Sequence, residues 1–264
     1  MKRIIFIVLL GLNIVDCRAS IDTCRKTNTA FQVGETLTYV FSYHWGAIWL
    51  SAGEATMNVE SSTFNNKPCY HIVGIGLTYK SYNWLYEVHD KYETYMDEET
   101  LLPYKFIRNI NEGGFKTYNN VSFDQDMGKA TSTHGTYTVT ACIQDVISAI
   151  YYLRNTDMSK FQLNQTIPIT IFLDDSIYPL YVRYLGKEKV KTEYGEVNCF
   201  KIRPLTVKGT IFSGGEDMLI YISDDANKIP VLISSPITVG EIRADLSVAK
   251  GLRNPLNGKI KLTK

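Results

Sequence analysis

The chain has 264 residues, 45% of them apolar, with 28 basic and 27 acidic side chains for a net charge of +1. This length and apolar content suffice for one large core or two smaller ones in contact. The charge balance gives no electrostatic case for nucleic acid or an anionic membrane surface, and 18 Tyr lean the composition towards sheet, because aromatic and β-branched side chains suit half-buried pleated surfaces.

Residues 1–19 read as a secretory signal peptide. Lys2 and Arg3 precede the apolar run IIFIVLLGLNIV, which is too short to span a bilayer comfortably, and cleavage is expected after Ala19. Cys17 raises lipoprotein anchoring, but a lipidated Cys normally follows a small residue and here Asp16 precedes it. Simple export, to the periplasm or outside, is the preferred reading. No later stretch is apolar enough to cross a membrane. The remaining chain carries 25 basic and 26 acidic residues and four cysteines, Cys24, Cys69, Cys142 and Cys199. In an oxidising compartment these permit two disulfides in any of three pairings; four buried thiols are the equal alternative, since a chain this long can build a core without staples.

Residues 20–30 are polar and read as a flexible lead-in. Residues 34–61 read as a long hairpin: Leu37, Tyr39, Phe41, Tyr43 and Trp45 alternate with polar or β-branched neighbours at period two. Gly46 and Gly53 allow a bend or bulge, and Ala55, Met57 and Val59 form the apolar face of the return strand. A turn over 65–68 leads to another strand. SYNWLYEV, residues 81–88, reads as a short helical turn with Trp84 and Leu85 packed inward. Strands follow on either side of a turn at Asp97–Thr100, with Pro103 at a strand start, then a hairpin at Gly113–Gly114 and further Thr- and Tyr-rich strands.

QDVISAIYYLRN, residues 144–155, is the best helical pattern after the leader. Val146, Ile147, Ile150 and Leu153 recur at helical spacing, Asp145 can cap the N-terminus, and Arg154 suits the C-terminal dipole. Residues 157–264 return to strands, punctuated at Asp174–Asp175, Gly186–Lys187 and Tyr194–Gly195, with residues 237–251 closing the sheet and a polar tail. The expected organisation is therefore a β-rich half over 20–143, a central helix over 144–156 and a second β-rich half over 157–264, packed as one unit. The halves echo each other. YETYMDEETLLPYKF (92–106) matches LIYISDDANKIPVLI (219–233), and NKPCYHI (66–72) matches EVNCFKI (196–202), at offsets that suggest a duplicated antiparallel unit.

The segments GETLTYVFSYHWGAIWLSAGEA, VHDKYETYMDEETLLPYKFIRNINEGGFK, QDVISAIYYLR, GKEKVKTEYGEVNCFKI, ISDDANKIPVLI and GEIRADL together resemble, in order, the exported bacterial family catalogued as domain of unknown function 3108. The resemblance implies a β-rich envelope protein and supplies no catalytic residues. At the level of fold alone, the pattern also loosely resembles periplasmic lipoprotein carriers, which hold acyl chains in an open β half-barrel.

The motifs of catalysis are missing. There is no Gly-x-Ser-x-Gly elbow, no His-Glu-x-x-His, no phosphate loop and no dinucleotide glycine motif. His44, His71, His89 and His134 lack metal-ligand spacing, and His89–Asp90 sit on opposite faces of a strand. Asp174–Asp175 and Asp224–Asp225 read as turns rather than as acid/base pairs. No cofactor or metal is expected. The fold expected is mainly β, with antiparallel curved sheets forming a barrel or half-barrels around one central helix. Tyr43, Trp45, Trp49, Tyr82 and Trp84 are the candidate wall of a site for a lipid or other apolar ligand, since aromatic walls with few polar groups typify ligand sites; an ordinary β core would explain the same residues. A non-enzymatic envelope protein that binds such a ligand is the preferred function. A module that binds another envelope protein and an enzyme acting on polysaccharide are its rivals.

Overall fold

The computed structural model of the protein describes residues 24–45, 48–84, 86–192, 195–207, 214–237 and 240–260. The expected signal peptide with Cys17, and also Gly46, Leu85 and Tyr194, lie outside them. The strands are β1 (Thr36–Trp45), β2 (Ile48–Phe64), β3 (Lys67–Thr78), β4 (His89–Asp97), β5 (Pro103–Glu112), β6 (Phe115–Asp124), β7 (Lys129–Thr131), β8 (Thr136–Thr138), β9 (Thr166–Leu173), β10 (Ser176–Thr192), β11 (Gly195–Pro204), β12 (Leu219–Ser223), β13 (Pro230–Pro236), β14 (Glu241–Lys250) and β15 (Gly258–Ile260), and the one α-helix among the described residues, α1 (Val146–Arg154), lies between β8 and β9.

Neighbouring strands run in the order β8-β7-β6-β5-β4-β3-β2-β1-β14-β13-β12-β11-β10-β9, and β15 pairs with β11. β1 and β14 join the halves of the chain antiparallel, with Thr36 opposite Lys250 and His44 opposite Glu241. The sheet is curved. Phe172 of β9 packs against Phe123 of β6 and Tyr137 beside it, with ring centroids 6.1 and 5.4 Å apart. The β9–β10 turn reaches the same region, Asp175 to His134 at 2.7 Å and Asp174 to Arg108. Both aspartates are turn residues with positive φ, as their type predicts. Gly53 is required where β2 bends. A Cβ there would come within 2.3 Å of the Leu77 carbonyl oxygen, and the register with β1 shifts beside it, between Phe41 and Ser42.

The helix begins where the sequence places it. The Asp145 carboxylate accepts the backbone N–H groups of Ile147 and Ser148, and the Ser148 hydroxyl accepts from the Asp145 N–H, a reciprocal cap. Its packed face differs from the expected stripe. Ile147, Ser148, Ala149, Tyr151 and Arg154 are buried, whereas Ile150 is 39% exposed. The helix lies inside the curve and packs on two sides, so no single apolar stripe describes it. One side joins the main core of Phe31, Ile72, Met96, Phe106, Val121 and Phe172; the other meets Ile169 and Ile171 of β9.

Four further expectations are corrected. The lead-in is anchored: Phe31 and Ala30 are fully buried and Cys24 is bonded to Cys142. Trp84 does not pack inward; it follows a 3-10 turn at Lys80–Tyr82 and is 82% exposed. Gly186–Lys187 is a register shift inside β10, not a turn between strands. Part of the polar tail is strand, since Gly258–Ile260 pairs with β11. The β4–β5 and β12–β13 turns of the echoed segments are built alike, but with Asp225, not the aligned Asp224, in the place of Asp97. The Asp97 carboxylate accepts the N–H groups of Glu99 and Thr100, and Asp225 accepts those of Asn227 and Lys228. Each turn then buries Leu102 or Ile229 before a proline opens the next strand.

Candidate functional site

Alternation along β1 turns Leu37, Tyr39 and Phe41 to one face, and the antiparallel register sets Ala55 and Met57 of β2 beside them. On the other flank, Phe41 lies opposite Ala244 of β14, which lies opposite Ile233 of β13. α1 passes over this face but does not fill the space. A cavity of about 160 Å³ remains, lined by Leu37, Tyr39, Phe41, Ala55, Met57, Ile150, Tyr151, Arg154, Pro230, Ile233 and Ala244, with an entirely apolar surface. Ile150 lines it and is partly exposed, so the cavity meets solvent beside the helix.

Arg154 lines the cavity without charging it. Its guanidinium donates to the two carboxylate oxygens of Glu35 at 2.6 and 2.7 Å, and to the carbonyls of Asn227 and Ala30. The rings of Phe31 and Tyr151 flank it, and neither member of the pair is exposed. Burial works against the guanidinium's charge, but the bonds to Glu35 outweigh it, so Arg154 stays a cation. Burial pushes the Tyr39 and Tyr151 phenols well above their ordinary value, so both remain neutral. The cavity is therefore apolar and uncharged, over a buried ion pair that ties the lead-in, α1 and the β12–β13 turn together.

A second buried acid lies at the other end of α1. Burial pushes the Asp145 carboxyl up to about 6, although the Thr94 hydroxyl, at 2.6 Å, and the two helix N–H groups pull it down.

Of the candidate wall, Tyr43 is half-buried and continues the inward row beyond Phe41. Trp45 ends β1. Trp49 is 53% exposed and stacks on His44, with centroids 4.0 Å apart. Tyr82 is half-buried in the 3-10 turn and Trp84 is exposed. Tyr43, Trp49, Tyr82 and Trp84 do not line the cavity. Tyr39 and Phe41, from the same alternating row, do, and their period-two spacing was the available signal. The Glu35–Arg154 pair had none, because 119 residues separate its members.

Among the cysteines, Cys24 and Cys142 are bonded, and Cys69 and Cys199 are buried free thiols. Burial raises both thiols, that of Cys199 to about 12, so neither is a nucleophile at neutral pH. His89 is exposed while Asp90 is buried, as opposite strand faces require. His71 bonds Glu93 at 2.9 Å and stacks on Tyr95. Burial raises the Glu93 carboxyl, but the bonds from Lys91 and His71 outweigh it and hold it below the usual carboxylate range. Among the described residues no group of three or more His, Cys, Asp or Glu side chains is placed to hold a metal ion, and no helix is long and apolar enough to cross a membrane.

A curved antiparallel sheet wrapped on one helix is a β-barrel-like architecture. A protein of domain of unknown function DUF1849 from Brucella abortus, described as β-barrel-like, has a similar fold, with a TM-score of 0.56 and 10% identity over 84% of this chain and 99% of that one. A Bacteroides fragilis protein with a YmcC-like fold aligns over 85% of this chain and 99% of its own, at 11% identity, but with a TM-score of only 0.33. Residues 38–247 match the family described as protein of unknown function DUF3108, and the chain belongs to that family. No curated protein sequence matches it.

Proposed function

We propose that the protein is an exported, non-enzymatic binding protein that holds the hydrocarbon part of a lipid or similar amphiphile between α1 and strands β1, β2, β13 and β14. The observation that carries this reading is the cavity: about 160 Å³ with no polar surface. An apolar cavity of about 150 Å³ in another protein stays dry and takes up benzene, so this one suits a ring or a short length of acyl chain. Its opening beside Ile150 leaves the polar part of an amphiphile in solvent. Tyr43 extends the inward aromatic row beyond Phe41, and supports an approach to the cavity along that face. Export is supported by the Cys24–Cys142 bond, because disulfides persist in oxidising compartments such as the periplasm.

The test fills the cavity. Ala244 is 3% exposed and lines it. Titration with N-phenyl-1-naphthylamine, a neutral apolar fluorophore whose phenyl ring the cavity can take while the naphthyl group lies in its opening, is expected to show saturable uptake by the native protein, weakened about tenfold or more in A244F by loss of that space. Far-UV dichroism checks that the variant is folded. Equal uptake by a folded A244F, or none by the native protein, contradicts the reading.

A further inference from the structure

We infer that one strand-end rim of the sheet is a docking surface for a lipid bilayer. Six of the twelve large apolar side chains exposed among the described residues lie there: Ile48 (60%), Trp49 (53%), Leu77 (40%), Trp84 (82%), Tyr86 (43%) and Phe115 (63%). The topology gathers them. β1 ends at Trp45 and β2 starts at Ile48; β3 ends at Thr78 and β4 starts at His89; β5 ends at Glu112 and β6 starts at Phe115. These strands are antiparallel neighbours, so all three connections fall at the same end. Hydrogen bonds knit the connections into one rim: Tyr79 N–H to the Ala52 carbonyl at 2.8 Å, and Gly113 N–H to the Glu87 carbonyl at 2.8 Å. The Tyr86 ring lies on Gly113, where a Cβ would come within 2.4 Å of it.

The chemistry of the rim fits a bilayer better than a protein. Large exposed apolar side chains gathered at one end of the sheet mark an interaction surface, and Trp and Tyr combine an apolar ring with a polar edge, the combination that settles at the membrane–water boundary. Lys80, in the β3–β4 connection, and Lys116, at the start of β6, are exposed, complementing lipid phosphates with flexible stems that let the ammonium groups stay in the headgroup layer. Glu87 is the exposed acid of the same connections, with Asp90 and Glu112 more buried behind it. So small a charge excess cannot hold the protein to a surface, and insertion of the aromatic tips carries the contact. The rim presents side chains of closed hairpins rather than an unpaired strand edge, so it offers little for a peptide to extend. Tyr43 leads inward from this end, which continues the rim into the proposed ligand site, although the bilayer contact does not depend on that site.

Two of the chain's three tryptophans, Trp49 and Trp84, lie on the rim, so intrinsic fluorescence reports on it. With the exported protein and phosphatidylcholine vesicles, the emission should shift to the blue. Vesicles carrying brominated acyl chains should quench it, equally at low and high salt. In co-sedimentation, W49A/W84A should lose about tenfold or more of the partitioning, since interfacial binding scales with buried apolar area. F115S should bind more weakly with both reporters in place. Both sites are exposed, so an unchanged melting temperature is expected for each variant. An unshifted, unquenched spectrum overturns the inference, as does sedimentation that the double variant leaves intact; a protein partner at the rim would give the former. Uptake of N-phenyl-1-naphthylamine by the double variant, measured alongside, keeps failure of the pocket distinct from failure of the rim.

Discussion

Arg154 and Glu35 show how a residue's role changes when its surroundings are known. From sequence, a basic residue in the last turn of a helix suits the dipole, a gain of at most about 1 kcal/mol at an exposed position. In the fold Arg154 is almost wholly inaccessible and makes two bonds to Glu35 and two to backbone carbonyls. Removing one partner strands a buried charge, which typically costs about 3–5 kcal/mol. R154A and E35A are each expected to lose stability on that scale in urea denaturation. The apolar double replacement R154M/E35L should recover most of it, because the penalty belongs to the unpaired charge. Single variants that cost as little as a surface pair would show that the guanidinium reaches water.

At the scale of elements, the capping and alternation signals held, whereas the packed face of α1 and the turn at Gly186–Lys187 did not. Asp145 caps α1 as its position before an apolar run predicts, and β1 and β2 form the expected hairpin, because capping and alternation are written in adjacent residues. The cap has a pH dependence that a surface cap would lack. Burial raises the Asp145 carboxyl from an ordinary 3.8 to about 6, so the folded protein holds a proton that the unfolded chain has released. Between those values stability falls as pH rises. The contribution is fully present below about pH 4 and lost above about pH 6, a change on the order of 3 kcal/mol. Asn also caps helices but does not titrate. The stability difference between the native protein and D145N should therefore move against the native protein as pH rises from about 4 to 7. A difference independent of pH would mean that its hydrogen bonds keep Asp145 ionised throughout. The disulfide was beyond local reading: Cys24 and Cys142 are 118 residues apart, and spacing alone left three pairings open.

At the scale of the whole molecule, the mainly β architecture was legible from the Tyr-rich alternation, and the position of the cavity was not. The cavity exists because β1 pairs with β14, bringing Phe41 and Ala244 together from opposite ends of the sequence, and because α1 crosses the inner face without filling it. Aromatic density drew attention instead to Tyr43, Trp45, Trp49, Tyr82 and Trp84, and tryptophans at strand ends look the same in sequence whether they point into a core or out of it. The proposal that joins these parts is a protein that carries an apolar ligand. Native mass spectrometry of the protein purified from its native host, followed by solvent extraction, tests it most directly. The account predicts a stoichiometric lipid or other amphiphile released from the folded protein. A clean ligand-free mass, with no uptake of the neutral fluorophore by the same preparation, would contradict it.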